Sequence, residues 1–173
     1  MKRLLVLLVL ALALSPAAFA ATGKDPYAHF FNDTFGDFAE ELEQAQAKGK
    51  KGVLVFFEMD ECPFCHYMKK NVLNQPEVQK YYRDNFMLFS VDIEGDVEMV
   101  DFAGKTTTQK NFAEVNRVRA TPVIAFFDLE GNPVHRYTGR TSGTDEFLLM
   151  GRYVADGAYR HMPFSRYKRE QKK

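Results

Sequence analysis

Short unbroken apolar runs and longer stretches with helical spacing take turns along this chain. Val53-Leu54-Val55-Phe56-Phe57, Phe86-Met87-Leu88-Phe89-Ser90-Val91 and Val123-Ile124-Ala125-Phe126-Phe127 are β-branched and aromatic, and runs of that kind suit central strands covered on both faces. Between and around them the period lengthens. Phe31, Phe35, Phe38, Leu42 and Ala45 recur at 4-3-4-3 spacing with Glu40, Glu41 and Glu43 among them, which predicts an amphipathic helix ended by Lys48-Gly49-Lys50-Lys51-Gly52. Cys65, Met68, Val72 and Leu73 share one helical face with Lys69 and Lys70 on the other. Gln75-Pro76 interrupts that helix, and a further turn or two runs from Glu77 to about Asp84. Glu94 to Lys105 has no firm period and reads as a loop or irregular insertion. Thr108 then caps a helix with Phe112, Val115 and Val118 inward. Asp128-Leu129-Glu130-Gly131-Asn132 forms a hairpin turn into an alternating edge strand, Pro133 to Gly139, and a last helix from about Thr144 to Ala155 buries Phe147, Met150, Gly151 and Val154. The order of elements predicts an α/β sandwich with a mixed sheet, in which strand, helix and strand from Val53 to Val91 make a parallel, right-handed crossover.

Composition adds limits. At 173 residues and 46% hydrophobic content the chain has room for one domain with an ordinary core and needs no covalent staples. Its 23 basic and 23 acidic residues cancel, which removes the electrostatic signature of a nucleic-acid binder. Lys2-Arg3, the apolar run Leu4 to Leu14, Ser15-Pro16 and Ala18-Phe19-Ala20 read as a secretory signal peptide cut after Ala20. The run is too short for a membrane span, since at about 1.5 Å per residue it covers roughly half of a ~30 Å hydrocarbon layer. The expected division is a signal peptide at 1–20, one domain at 21–163 and a basic tail at 164–173, exported to the periplasm as a monomer. From Arg152 onward basic residues outnumber Asp156 and Glu170, and such a run reads as a solvated end.

The two cysteines carry the chemistry. Cys62-Pro63-Phe64-Cys65 follows a predicted buried strand and opens a helix. Pro63 suits the first helical position, where its missing N–H costs nothing, so Cys62 falls at the helix N-terminus. Partial positive charge and free N–H groups there stabilise a thiolate, which makes Cys62 the candidate nucleophile and Cys65 the thiol that resolves a mixed disulfide. Other readings stand beside this one. The pair could be a structural bridge, although so short a loop gains only about 2 kcal/mol from closure. Cys62-x-x-Cys65-His66 also satisfies the attachment motif for a c-type haem, an electron carrier with His66 as axial ligand. A zinc site would need His29, His135 or His161, none of them in a paired spacing. Asn32-Asp33-Thr34 matches a glycosylation sequon, and His66 otherwise reads as an exposed first-turn histidine.

Val53 to Cys65, Thr121-Pro122 and Phe126-Phe127-Asp128-x-x-Gly131 resemble the thioredoxin superfamily over nearly all of the chain after Ala20. Phe57-Glu58 before the cysteines, the Asp92-to-Gly104 insertion and the stretch from Phe147-Leu148 through Tyr153 to Tyr159 look more narrowly like the SoxW-type periplasmic thioredoxins. The resemblance implies a thioredoxin fold with an added N-terminal helix and an insertion before a cis-proline motif. It implies a dithiol that needs no cofactor beyond the Cys62–Cys65 disulfide and no metal, reduces disulfides in exported proteins, and is re-reduced by a membrane thiol carrier of the DsbD or CcdA kind. Pro122 would be the cis-proline facing the dithiol and Thr121 would offer backbone hydrogen bonds to substrate, with Pro63 and Phe64 shaping the site. Two departures stand out. Phe56 occupies the position of thioredoxin's buried acid, leaving Glu58 either as its replacement or as a solvated loop carboxylate. The dipeptide between the cysteines carries no cation, which weakens extra thiolate stabilisation and favours a reductase over an oxidase or isomerase using the same atoms.

Overall fold

The computed structural model describes residues 24–171; the expected signal peptide lies outside them. Four strands form the central sheet: β1 (Val53–Glu58), β2 (Met87–Asp92), β5 (Val123–Phe127) and β6 (Pro133–Thr138), in the order β2-β1-β5-β6. β1 and β2 run parallel, and β5 and β6 pair antiparallel on the other side. Alternate side chains of each strand point to opposite faces, and the buried residues accordingly sort into two clusters. Leu54, Phe56, Leu88, Ile124 and Phe126 face α3 (Pro63–Met68), α4 (Pro76–Asn85) and α6 (Thr144–Ala155). Val53, Val55, Phe57, Phe89, Val123 and Phe127 face α2 (Phe38–Ala47) and α5 (Gln109–Val115). The mixed sheet flanked by helices that the resemblance implies is the architecture observed.

The N-terminal segment differs from its predicted helix. A short α1 (Pro26–His29) is capped by Asp25, and α2 starts only at Phe38, where the Asp37 side chain accepts the N–H of Glu40 at 3.0 Å. Between them the chain passes along the outer side of β2, with Asn32 N–H donating to the Leu88 carbonyl at 2.7 Å and the Asn32 side-chain oxygen accepting the Leu88 N–H at 2.8 Å. Phe31 joins one face of the sheet and Phe38 the other, while Phe35 between them is fully exposed.

The segment after β2 is more regular than its sequence suggests. β3 (Glu98–Val100) and β4 (Thr106–Thr108) form a small antiparallel hairpin, tied to the start of α2 by a bridge between Asp37 and Val100. Only Met99 of this hairpin is buried, too little for an alternating pattern to show. Thr108 caps α5 as expected, accepting the Asn111 N–H at 3.2 Å. Phe112 and Val118 are inward but Val115 is exposed: α5 buries its Phe112 and Ala113 face, which leaves Val115 off the core side, and Val118 is reached only after the helix has ended and Arg117 has taken a left-handed conformation, φ 55°.

The basic end is not simply solvated. Residues from Phe164 form α7 (Phe164–Glu170), whose Phe164 packs among His135, Tyr137 and Tyr153 and whose Lys168 pairs with Glu146 of α6.

Candidate active site

β1 delivers the chain to the site. Beyond Glu58 a turn brings Cys62 to the N-cap of α3, with Pro63 in the first turn, as the spacing predicts. Cys62 and Cys65 are joined as a disulfide, and the Cys62 sulfur accepts the Cys65 N–H at 3.0 Å. That N–H is one of the donors at the start of a helix that have no intrahelical partner, and here the Cys62 sulfur takes it. Cys65 is fully buried against the sheet, while Phe64 between the cysteines is 53% exposed. α3 runs into a π-helical turn, Lys69–Leu73, before Pro76 starts α4.

Thr121-Pro122 is a cis peptide bond at the entry to β5. The Pro122 carbonyl accepts the N–H of Gly139, at the end of β6, at 2.8 Å. Two residues on, the buried Thr141 directs its N–H to the sulfur of Met68 in α3 at 3.4 Å. The loop between β6 and α6 is thus fastened to the proline on one side and to the cysteine-bearing helix on the other.

Glu58 is not a solvated loop carboxylate. It ends β1, is 7% exposed, and accepts hydrogen bonds from the Tyr27 hydroxyl at 2.9 Å and from Ser90. Lys69 closes the group with an ion pair to Glu58 at 2.7 Å and a hydrogen bond to Tyr27 at 2.8 Å. Burial works against the Lys69 charge, but the hydrogen bonds to Glu58 and Tyr27 outweigh it and its pKa is raised. Burial in turn raises the pKa of Tyr27. Lys69 was expected on the solvent face; its partner lies eleven residues back on another element, where helical periodicity carries no signal. Phe56, in the position of the absent acid, is fully buried in the core cluster that also includes both cysteines.

His66 is exposed, and its ring nitrogen Nε2 lies 2.9 Å from the Asp60 carbonyl. A covalently held haem does not fit these residues, since the Cys65 sulfur it would bond is packed under the sheet. His135, one of the histidines weighed for zinc, lies between Phe126, Tyr153 and Phe164, and among the described residues no three His, Cys, Asp or Glu side chains gather to hold a metal ion. Sequence reasoning also missed Tyr67 and Arg140. The Arg140 guanidinium stacks over the Tyr67 ring at 4.5 Å and reaches the Phe64 ring at 5.9 Å.

A family model for the thioredoxin-like domain matches residues 38–155. Among solved structures, a thioredoxin from Thermus thermophilus is 28% identical with a TM-score of 0.55, covering 73% of this chain and 94% of its own. A thioredoxin-fold protein from Helicobacter pylori is 21% identical with a TM-score of 0.63, covering 72% and 86%. The reduced C-terminal domain of DsbD from Neisseria meningitidis is 21% identical with a TM-score of 0.52, covering 70% and 99%. No curated protein matches the chain at a significant level.

Proposed function

We propose that this chain, which belongs to the thioredoxin-like domain family, is an exported reductase of protein disulfides, of the SoxW type that its sequence resembles. The observation that carries the reading is the Cys62–Cys65 disulfide at the start of α3, with Cys62 at the N-cap and a helix N–H on its sulfur. A thiolate placed there is stabilised. In the reduced protein the Cys62 thiolate attacks one sulfur of a substrate disulfide, the substrate's other sulfur leaves and takes up a proton, and a mixed disulfide forms. Cys65 then loses its proton and attacks the Cys62 sulfur, releasing the substrate as a dithiol and leaving the disulfide seen in the structure. Two electrons pass to the substrate, and a membrane dithiol of the DsbD or CcdA kind returns them.

Glu58 is the group we assign to receive the proton of Cys65. It is a buried carboxylate four positions before Cys62, kept in one place by Tyr27, Ser90 and Lys69. We assign contact with the substrate to Thr121 and Pro122, at the cis peptide bond that leads into β5, together with Pro63 and the exposed Phe64. The export reading rests on the N-terminal Lys2-Arg3, the apolar run and Ala18-Phe19-Ala20.

The test is the reduction potential of the pair, titrated in dithiothreitol and glutathione buffers. A value near the roughly −270 mV of thioredoxin is expected; one near the roughly −120 mV of DsbA would make the protein a disulfide donor instead. C65S should accumulate a mixed disulfide with substrate and C62S should not, and a C62S protein that still exchanged disulfides would overturn the assignment of the nucleophile.

A further inference from the structure

We propose that Arg140 makes this site selective for substrates carrying a carboxylate side chain beside the disulfide under attack. The inference rests on the oxidoreductase reading above and names the substrate chemistry it favours. Three observations place the residue. Gly139, immediately before it, donates its N–H to the carbonyl of the cis-proline, Pro122. Thr141, immediately after it, is buried and anchored to Met68 of the cysteine-bearing helix. Its guanidinium lies over Tyr67 and within reach of Phe64, the exposed residue between the two cysteines. A side chain fixed at both neighbours and braced on two rings gives up little freedom when it binds, unlike a loose surface cation.

The charge is also unspent. Arg140 is exposed, and among the described residues it forms no ion pair. Stacking on aromatic faces leaves the in-plane N–H donors of a guanidinium open to a carboxylate, which they can hold with two parallel bonds. The other exposed charges close in sequence to the site are Asp60 and Glu61 on the turn before Cys62, and Arg119 ahead of Thr121. Along the chain, acid thus precedes Cys62 on the strand-to-helix turn, and base precedes Thr121 and follows Gly139 on the two loops joined at Pro122. With its guanidinium held over Tyr67 and Phe64, on the side of α3, Arg140 meets one flank of the attacked cysteine, and the preference for acid belongs to that flank and not to both.

The experiment compares synthetic peptides, each with one intramolecular disulfide, that differ only in having Glu, Gln or Lys next to the cysteine, placed before it in one series and after it in another. The reduced protein, R140Q and R140E are mixed with each, and the rate constant for exchange is followed by stopped flow. In one series the wild type is expected to favour the Glu peptide over the Lys peptide by about fivefold, the upper end for a surface ion pair. The ratio should fall toward one at molar salt, lie near one in R140Q and invert in R140E. Because the readout is a ratio within each protein, a general loss of rate does not mimic the result. A wild type indifferent to charge in both series, or an R140E that keeps the wild-type ratio, overturns the proposal while leaving the dithiol chemistry intact. Failure to react with any peptide in either series overturns the oxidoreductase reading and this proposal with it.

Discussion

His135 couples the stability of the fold to pH. It sits on β6 opposite Phe126, its ring centroid 6.0 Å from that residue, 5.0 Å from Tyr153 and 5.4 Å from Phe164, and its Nε2 is buried without a hydrogen-bond partner among the described residues. Burial disfavours the charged ring and lowers its pKa from an ordinary 6.5 to about 4. For a base, a depressed folded-state value means stability that is complete above the unfolded pKa and is lost as pH falls from there toward the folded one. At pH 5 the unfolded chain holds the proton almost fully and the folded chain hardly at all, a loss of about 2 kcal/mol relative to pH 7.5, rising to about 3 kcal/mol below pH 4. In H135L the ring is gone and this loss should vanish, whatever the substitution does to the absolute stability. Urea unfolding followed by circular dichroism at pH 7.5 and 5.0 gives the comparison, and the carboxylates titrate in both proteins and cancel. If H135L lost as much stability as the wild type between the two pH values, the reasoning would be refuted.

Glycine substitutions should separate contact with backbone from contact with a ring. A Cβ at Gly52 would stand 2.3 Å from the carbonyl oxygen of Phe127, and one at Gly151 would meet the Tyr81 and Tyr82 rings at 2.8 and 3.0 Å; both G52A and G151A should lower the unfolding free energy read from urea titration, G52A by the larger amount and by more than about 2 kcal/mol, because a ladder carbonyl has less room to move than a tyrosine. K69M leaves Glu58 buried without its cation and should cost about 1–3 kcal/mol at neutral pH. The double variant E58Q/K69M should recover part of that loss, and equal stabilities for K69M and wild type in the same urea titration would show that the pair contributes nothing.

The strands, the last helix and the placement of Cys62 at a helix start were legible because each rests on local information: unbroken β-branched runs, a long period with Gly at its centre, and a proline one residue after the cysteine. The first predicted helix shows where such information stops. Phe31, Phe38 and Ala45 do lie seven apart, but the regular spacing spans a crossing from one side of the sheet to the other, and periodicity cannot tell one continuous stripe from two that happen to be in phase. Val115 makes a similar point, since α5 turns its Phe112 and Ala113 face to the core, and Val118 comes inward only beyond the end of the helix, after the left-handed residue Arg117. In the site, the cysteines and Pro122 could be found from motif and resemblance. The partners of Glu58 and the stacking of Arg140 on Tyr67 join residues from separate elements, and no spacing within one element announces them.

The crossing at Asn32 has a further consequence. β2 lies at the margin of the sheet, and a marginal strand offers unpaired amide and carbonyl groups on which another chain can build. At Leu88, the second residue of β2, both groups are already taken by one residue, the carbonyl by the Asn32 amide and the amide by the Asn32 side chain. Asn32 thereby imitates one rung of a neighbouring strand and then ends the ladder, since the chain turns away to begin α2. Its side chain acts as a stopper against edge-to-edge polymerisation, and the opposite margin, β6, is protected by other means, a proline at its first position and Arg136 along its length.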